Sequence, residues 1–394
     1  MSTTSTLAAE RLHKLRAGLE GSGFDAVLAL SPANVAYASG YRSVSAAVHG
    51  VSAVAALVTQ HDLVLVGHVA DSAPAFDFGI PETDYVAYGR FFFESQDGQG
   101  IATTLVDQNP GYAEAITAAV RRLNLGSSRI GIDDRAAPAE LRALLAGFNT
   151  GTTFVDASAW LLATRSQKLP GEVAALETVA RVTETGILSA IAQAGVGVTE
   201  RELAGIVGRT LVEAGGEPKF IVVTTGSRSA LADTQATNKA IQAGDLLRFD
   251  VGCVLDGYWS DIGRTAVIGE PTTRQASFYA AMLAGEDAQL ATARPGVSAS
   301  SLFDTAVNTV QSTGGPQPYR RQHCGHGIGL DVYEPPIIQP GVDTLLEEGM
   351  VFCFETPYYE LGWGGMMVED TVVVTHDGIR MLTDRGRDLT VVPV

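Results

Sequence analysis

Two stretches of this chain, LLRFDVGCVLDGYWSDIGRTAVIG and CFETPYYELGWGGMMVEDTVVV, set carboxylates into otherwise apolar strands joined by tight turns. In the first, Asp256-Gly257 is a two-residue hairpin signal, because both central positions of that turn need a positive φ. Centring the turn there pairs Asp250 with Gly263 and Gly252 with Asp261. Paired residues share a face, as do residues two apart on a strand, so Asp250 and Asp261 become diagonal neighbours. In the second stretch, a turn centred on Gly362 sets Glu355 opposite Glu369. Leu247, Phe249, Phe352 and Phe354 beside these carboxylates mark a buried context. Four carboxylates converging on such a face repel one another severely unless cations neutralise them.

The two stretches sit inside an internal repeat. Val198, Thr199, Leu203, Gly215 and Gly216 recur as Val297, Ser298, Leu302, Gly314 and Gly315, and Gly244, Phe249 and Asp250 recur as Gly349, Phe354 and Glu355. Collinear matches through helix, glycine pair and strand imply two related halves, each delivering one carboxylate hairpin to a shared centre. Residues 166–394 are therefore read as an α+β domain with pseudo-twofold symmetry. Within it, Thr199 and Glu202 form a capping-box pattern ahead of LAGIVGRTLVEAGG. Residues 1–165 alternate helical and extended segments, the pattern of a small α/β domain. They run through a helical opening at 7–21, the strand AVLAL at 26–30 and the loop SPANVAYASGY. A strand pair, VAALVTQ and LVLVGH, turns at His61-Asp62. A helix over 111–124, a strand at 129–133 and a helix from 137 follow, and TRSQKLPG breaks the pattern at 164–171. The aromatic cluster RFFFES at 90–95 is expected in the core of this domain.

Composition narrows the class. At 394 residues the chain exceeds one ordinary core, and 46% hydrophobic with 18% charged residues describes packed globular domains. With 27 Lys plus Arg against 44 Asp plus Glu, the net charge of −17 repels phosphate backbones and anionic lipid. Neither a nucleic-acid nor a membrane partner is expected. MSTTSTLAAERLHKLRAGLE lacks the basic start and apolar core of a signal peptide, and VSAVAALV at 51–58 is too short to span a bilayer. Cys253, Cys324 and Cys353 make no disulfide framework and read as small buried residues, so a cytoplasmic location is expected.

His326, in HCGHGIGLDVYEPP, is flanked by glycines that let the backbone approach a ligand closely, and His323 is a second imidazole in the same segment. The ordered set Asp250, Asp261, His326, Glu355 and Glu369 suits hard or borderline divalent cations better than an organic cofactor. With GYWSDIGRT, GHGIGL and VEDT around it, that set resembles the creatinase, prolidase and methionine aminopeptidase family of M24 metallohydrolases. SPANVAYASGY is similar to the opening motif of the creatinase and prolidase amino-terminal domain. The resemblance implies a pita-bread catalytic domain binding two divalent metal ions, manganese first, with cobalt, iron or zinc as the other choices. It implies that Asp261 and Glu369 bridge both ions, that Asp250 binds one, and that His326 with Glu355 binds the other. It further implies hydrolysis of a C–N amide bond in an Xaa-Pro dipeptide or similar small peptide by a homodimer. A metal-bridging water would attack, with Glu355 accepting and returning the proton.

Three positions depart from the Xaa-Pro peptidase pattern. Where those enzymes carry a substrate-contacting histidine ahead of the first ligand, this chain has Asp233. Where a second histidine follows the metal histidine, it has Tyr333, and where arginine often precedes the last glutamate, it has Met367. Tyr333 keeps a donor for an oxyanion but does not titrate near neutral pH. Asp233 favours a cationic or N–H group on the substrate, and Met367 removes a fixed charge that would meet a substrate carboxylate. The expectation is retained metal chemistry with a substrate pocket altered at these three residues. A creatinase-like or ectoine-hydrolase-like hydrolase of a small non-peptide nitrogen compound is the alternative.

Overall fold

The computed structural model describes residues 3–49, 54–93, 109–148, 151–383 and 385–394. The chain divides into two compact units, Met1–Thr164 and Arg165–Val394. The first is built on a six-stranded sheet of β1 (Ala26–Ala29), β2 (Ala55–Thr59), β3 (Leu63–His68), β4 (Tyr85–Tyr88), β5 (Arg129–Ile132) and β6 (Thr153–Asp156). Its order is β4-β3-β2-β1-β5-β6, with β1, β2 and β3 antiparallel and the outer pairings parallel. Leu28, Leu57, Val66 and Ile130 pack against Ile116 and Val120 of the helix Tyr112–Arg122, and against Leu141 and Leu145 of Ala139–Ala146.

Two expectations for this unit are corrected. SPANVAYASGY is not a loop: Pro32–Ser39 is a helix. The Ser31 hydroxyl accepts the Asn34 N–H at 3.3 Å, Pro32 opens the first turn, and Gly40 closes the helix at φ 75°. Serine at the cap, proline inside and glycine beyond are the ordinary punctuation of a short helix. The carboxylate of Asp133 accepts from Ser31 N–H at 2.9 Å and Asn34 Nδ2 at 2.6 Å, tying that cap to the end of β5. The second correction concerns RFFFES. Phe91 and Phe92 are exposed, at 43% and 68%, rather than in the core, and Glu94 and Ser95 lie outside the described residues.

The second unit centres on a nine-stranded sheet whose main path runs β11-β10-β12-β15-β9-β8-β7. These are β7 (Glu217–Thr225), β8 (Leu246–Leu255), β9 (Tyr258–Ile268), β10 (Gly325–Gly327), β11 (Glu334–Ile337), β12 (Val351–Glu355) and β15 (Glu369–Val374). Between the last two, β13 (Tyr358–Glu360) and β14 (Gly364–Met366) form a separate two-stranded ribbon. The repeat is visible as matched devices. Thr199 caps the helix Glu200–Glu213, and Ser298 caps the helix Ala299–Ser312. Each cap residue also makes one antiparallel bridge, Thr199 with Ala240 and Ser298 with Leu345. Gly215 and Gly314 follow the helices at φ 83° and 92°, and Gly244 and Gly349 precede the carboxylate strands at 84° and 85°. These four positions demand the left-handed region, which glycine alone enters without strain.

Candidate metal centre

The Asp256-Gly257 turn has φ 51° and 91° at its two central residues, and β8 pairs with β9 in the register Asp250↔Gly263, Gly252↔Asp261. In the other half, Glu355 of β12 lies opposite Glu369 of β15, and the same register continues into the ribbon as Tyr358↔Met366. The two hairpins join where β15 meets β9 at Glu369↔Gly263. His326 enters from β10, paired with Cys353 of β12. Four strand pairings thus bring all five residues together.

Among the described residues, two groups present ligand atoms all within 4.8 Å of one another: Asp250, Asp261 and Glu369, and His326, Cys353 and Glu369. Glu369 is common to both. The His326 Nδ1 lies 3.0 Å from the Gly327 carbonyl, which can only accept, so the proton resides on Nδ1 and Nε2 keeps its lone pair. That Nε2 is 3.6 Å from Asp261 Oδ2. Neither His326 Nε2 nor Asp261 Oδ1 finds a hydrogen-bond partner among the described residues, although both atoms are buried. Orphaned acceptors aimed into a carboxylate cluster fit divalent cations. Cys353 is held as a thiol while no cation is bound. Burial, with Glu369 and Asp261 beside it, pushes its pKa far up, and its Sγ donates to the Asp261 backbone carbonyl at 3.5 Å.

Electrostatics separate the four carboxylates. Burial and the charge of Asp261 push Asp250 up to about 7, against the opposing pull of Arg248. Burial and its neighbours likewise push Glu369 well above the ordinary range, and Asp261 is raised by burial despite the opposing pull of the nearby His326 imidazole. Glu355 goes the other way. Burial acts upward, but the His323 Nδ1 contact at 2.9 Å and the Arg321 guanidinium at 3.4 Å outweigh it, leaving Glu355 below its usual pKa. Its oxygens are turned to those two partners, and it is absent from both close ligand groups.

The strand that supplies Glu369 is held from behind. Arg264 is fully buried and donates to the Glu369 carbonyl at 2.6 Å, to Asp370 at 2.6 Å and to Glu184 at 3.1 Å. Every donor spent on an acceptor offsets the desolvation of the guanidinium and fixes the strand.

The three departing positions are placed differently from one another. Tyr333 is 53% exposed and its ring stacks on that of His326 at 3.9 Å. Asp233 is exposed, and its charge contributes to raising Asp250. Met367 is buried at 1% and packed so tightly on Gly263 that a Cβ there would lie 2.4 Å from Cε. It lies within the packing of the cluster rather than on an open surface. Nor is the neighbourhood left without a fixed positive charge. Arg248, two residues before Asp250, is fully buried, with Nη1 3.1 Å from Asp250 Oδ2 and 3.5 Å from Met367 Sδ. Arg248, Arg321 and Tyr359, whose ring lies 5.2 Å from the Arg248 Cζ and 5.9 Å from that of Arg321, were not singled out by motif. Alternation did carry one signal, because Arg248 shares the strand face of Asp250.

Comparison with known proteins matches residues 174–376 to the metallopeptidase family M24 model and residues 11–167 to the creatinase/prolidase N-terminal domain. The chain is 34% identical over 220 residues to an Xaa-Pro dipeptidase of Pyrococcus horikoshii, covering 55% of this chain and 62% of that one. It is 30% identical over 280 residues to the putative dipeptidase YkvY of Bacillus subtilis, covering 71% and 77%. The matched stretch spans less than two thirds of the first curated relatives. Among solved structures, the dipeptidase PepE of Mycobacterium ulcerans superposes with a TM-score of 0.79 at 25% identity, covering 100% of both chains.

Proposed function

The chain belongs to metallopeptidase family M24, and from that premise we propose that it uses two divalent cations, manganese first, to hydrolyse a C–N amide bond in an Xaa-Pro dipeptide or a similarly small peptide. The observation that carries this reading is the pair of ligand groups overlapping at Glu369, with buried His326 Nε2 and Asp261 Oδ1 left without protein partners. Cations bound there would polarise the scissile carbonyl and acidify the attacking water.

The chain's residues divide the remaining work. Asp250, Asp261, His326, Glu355 and Glu369 would hold the cations. Glu355, kept ionised by His323 and Arg321, is the group suited to take a proton from the attacking water and pass it to the leaving nitrogen. Tyr333, stacked on His326, offers its hydroxyl to the developing oxyanion. Asp233 receives an amino or N–H group of the substrate. A homodimer accompanies this reading. The Xaa-Pro specificity is taken from the name of the Pyrococcus relative.

A second reading rests on Asp233 and Tyr333, which make the pocket different from a two-histidine peptidase pocket and suit a small non-peptide nitrogen compound. One screen separates the two. Chelated protein reconstituted with Mn2+ is assayed against Xaa-Pro dipeptides, longer Xaa-Pro peptides and small or cyclic amides. Cleavage of Xaa-Pro dipeptides that is lost on chelation supports the first reading, and cleavage confined to small amides supports the second. Hydrolysis that survives complete demetallation would sink the first reading.

A further inference from the structure

The loop from Ser229 to Thr237 brings the exposed Asp233 within electrostatic range of Asp250. It is anchored at two points. At its far end the fully buried carboxylate of Glu200 accepts the Thr237 N–H at 2.9 Å, the Thr237 hydroxyl at 2.7 Å and Arg228 Nε at 3.0 Å. Arg228 Nη2 in turn donates to the Gln235 carbonyl at 2.9 Å. At its near end the anchor is Arg248. Nε donates to the Ser229 carbonyl at 2.9 Å, and Nη2 donates to the carbonyls of Leu231 and Ala232, both at 2.7 Å. Ser229 also binds the ribbon, its hydroxyl accepting the Gly365 N–H at 2.7 Å. Asp233 stands between the two anchors.

A buried guanidinium is tolerated only when its donors are used, and their distribution shows what it holds. Three short bonds from Arg248 go to loop carbonyls, and one longer bond at 3.1 Å goes to Asp250. The Tyr359 ring packs 5.2 Å from its Cζ. We propose that Arg248 is the positioning residue of substrate selection, acting mainly through the 229–233 backbone to fix where Asp233 presents its carboxylate, and only secondarily through Asp250. The role in selection rests on the hydrolase reading above, whereas the anchoring of the loop does not.

The test uses the full chain loaded with Mn2+ and three variants: Arg248→Met, Asp233→Asn, and the double variant Arg248→Met with Met367→Arg. The double variant returns a guanidinium beside Asp250 from the link between β14 and β15 without restoring the loop bonds. Hydrogen exchange over 229–235, Mn2+ affinity by calorimetry, and kcat and KM on the substrate from the screen are measured. Arg248→Met is expected to speed loop exchange about tenfold. It should raise KM about tenfold, as Asp233→Asn does, with Mn2+ affinity changed less than about threefold. The double variant should keep the raised KM. Unchanged exchange in Arg248→Met overturns the anchoring whatever the activity. A KM restored by the double variant, or Mn2+ affinity lost with KM intact, shows that Arg248 acts through Asp250 instead. If Arg248→Met does not fold, Arg248→Lys, which keeps the charge but cannot bond three carbonyls, is read by the same exchange measurement. A wild type that hydrolyses nothing in the screen refutes the hydrolase reading, while the exchange data still decide the anchoring.

Discussion

At the residue scale, the centre is a set of carboxylates that the fold forces together and that only cations can reconcile. Asp250, ordinarily near 3.8, is pushed up to about 7 when no cation is bound. A carboxyl whose pKa rises on folding stabilises the fold while protonated and loses that contribution as pH climbs through the interval between the two values. The cation-free protein should therefore become less stable between about pH 4 and about pH 7. Over the same interval Mn2+ affinity should rise, because each ligand must surrender its proton to bind. Calorimetric titrations at several pH values, in buffers of different ionisation enthalpy, would show both the rise and the released protons. Affinity flat across that interval would contradict the coupling. His326→Ala provides the complementary check. Removing this buried imidazole, whose Nε2 is unpartnered, should lower bound metal measured by elemental analysis, with the fold retained by circular dichroism. A full metal complement in that variant would exclude His326 as a ligand.

At the scale of elements, the hairpin of β8 and β9 depends on its turn. Gly257 sits at φ 91°, where a Cβ is strained. Gly257→Ala should cost about 1–2 kcal/mol in urea unfolding. Because Asp250 and Asp261 lie several residues from the turn on long paired strands, metal stoichiometry should be kept. A stability loss within error would mean that the turn contributes little to register. This hairpin was legible from the chain alone because Asp256-Gly257 specifies both turn type and register. The second was legible only in part. Gly362 located the pairing of Glu355 with Glu369, but not that the strands between would leave the main sheet as a separate ribbon. Pro32–Ser39 was missed for a different reason: its Ser, Pro and Gly also signal loops, and the Asp133 carboxylate that supports the helical outcome is distant in sequence.

At the scale of the whole chain, the repeat places one carboxylate hairpin in each half of the second unit, so bound cations would staple the halves together. Mn2+ at a thousandfold excess over Kd should stabilise the protein by about 4 kcal/mol, read as a rise in unfolding midpoint that chelation reverses. A midpoint insensitive to Mn2+ would mean that the halves need no staple. The proposed homodimer predicts a light-scattering mass twice that of one chain, and a monomer at micromolar concentration would remove it. No helix among the described residues is long and apolar enough to cross a membrane.

The sequence by itself determined the two-half plan and the convergence of its carboxylates. Turn chemistry, strand alternation and collinear repeats are local rules, and local rules can be read from order alone. It could not reveal that Arg248 fills the space beside Met367, that His323 and Arg321 hold Glu355, or that Met367 is buried in the packing while Tyr333 stands half exposed on His326. Those facts depend on which side chains from distant strands come to share one volume. Only the tertiary structure decided them, because a charge or a ring has no fixed partner until the backbone closes around it.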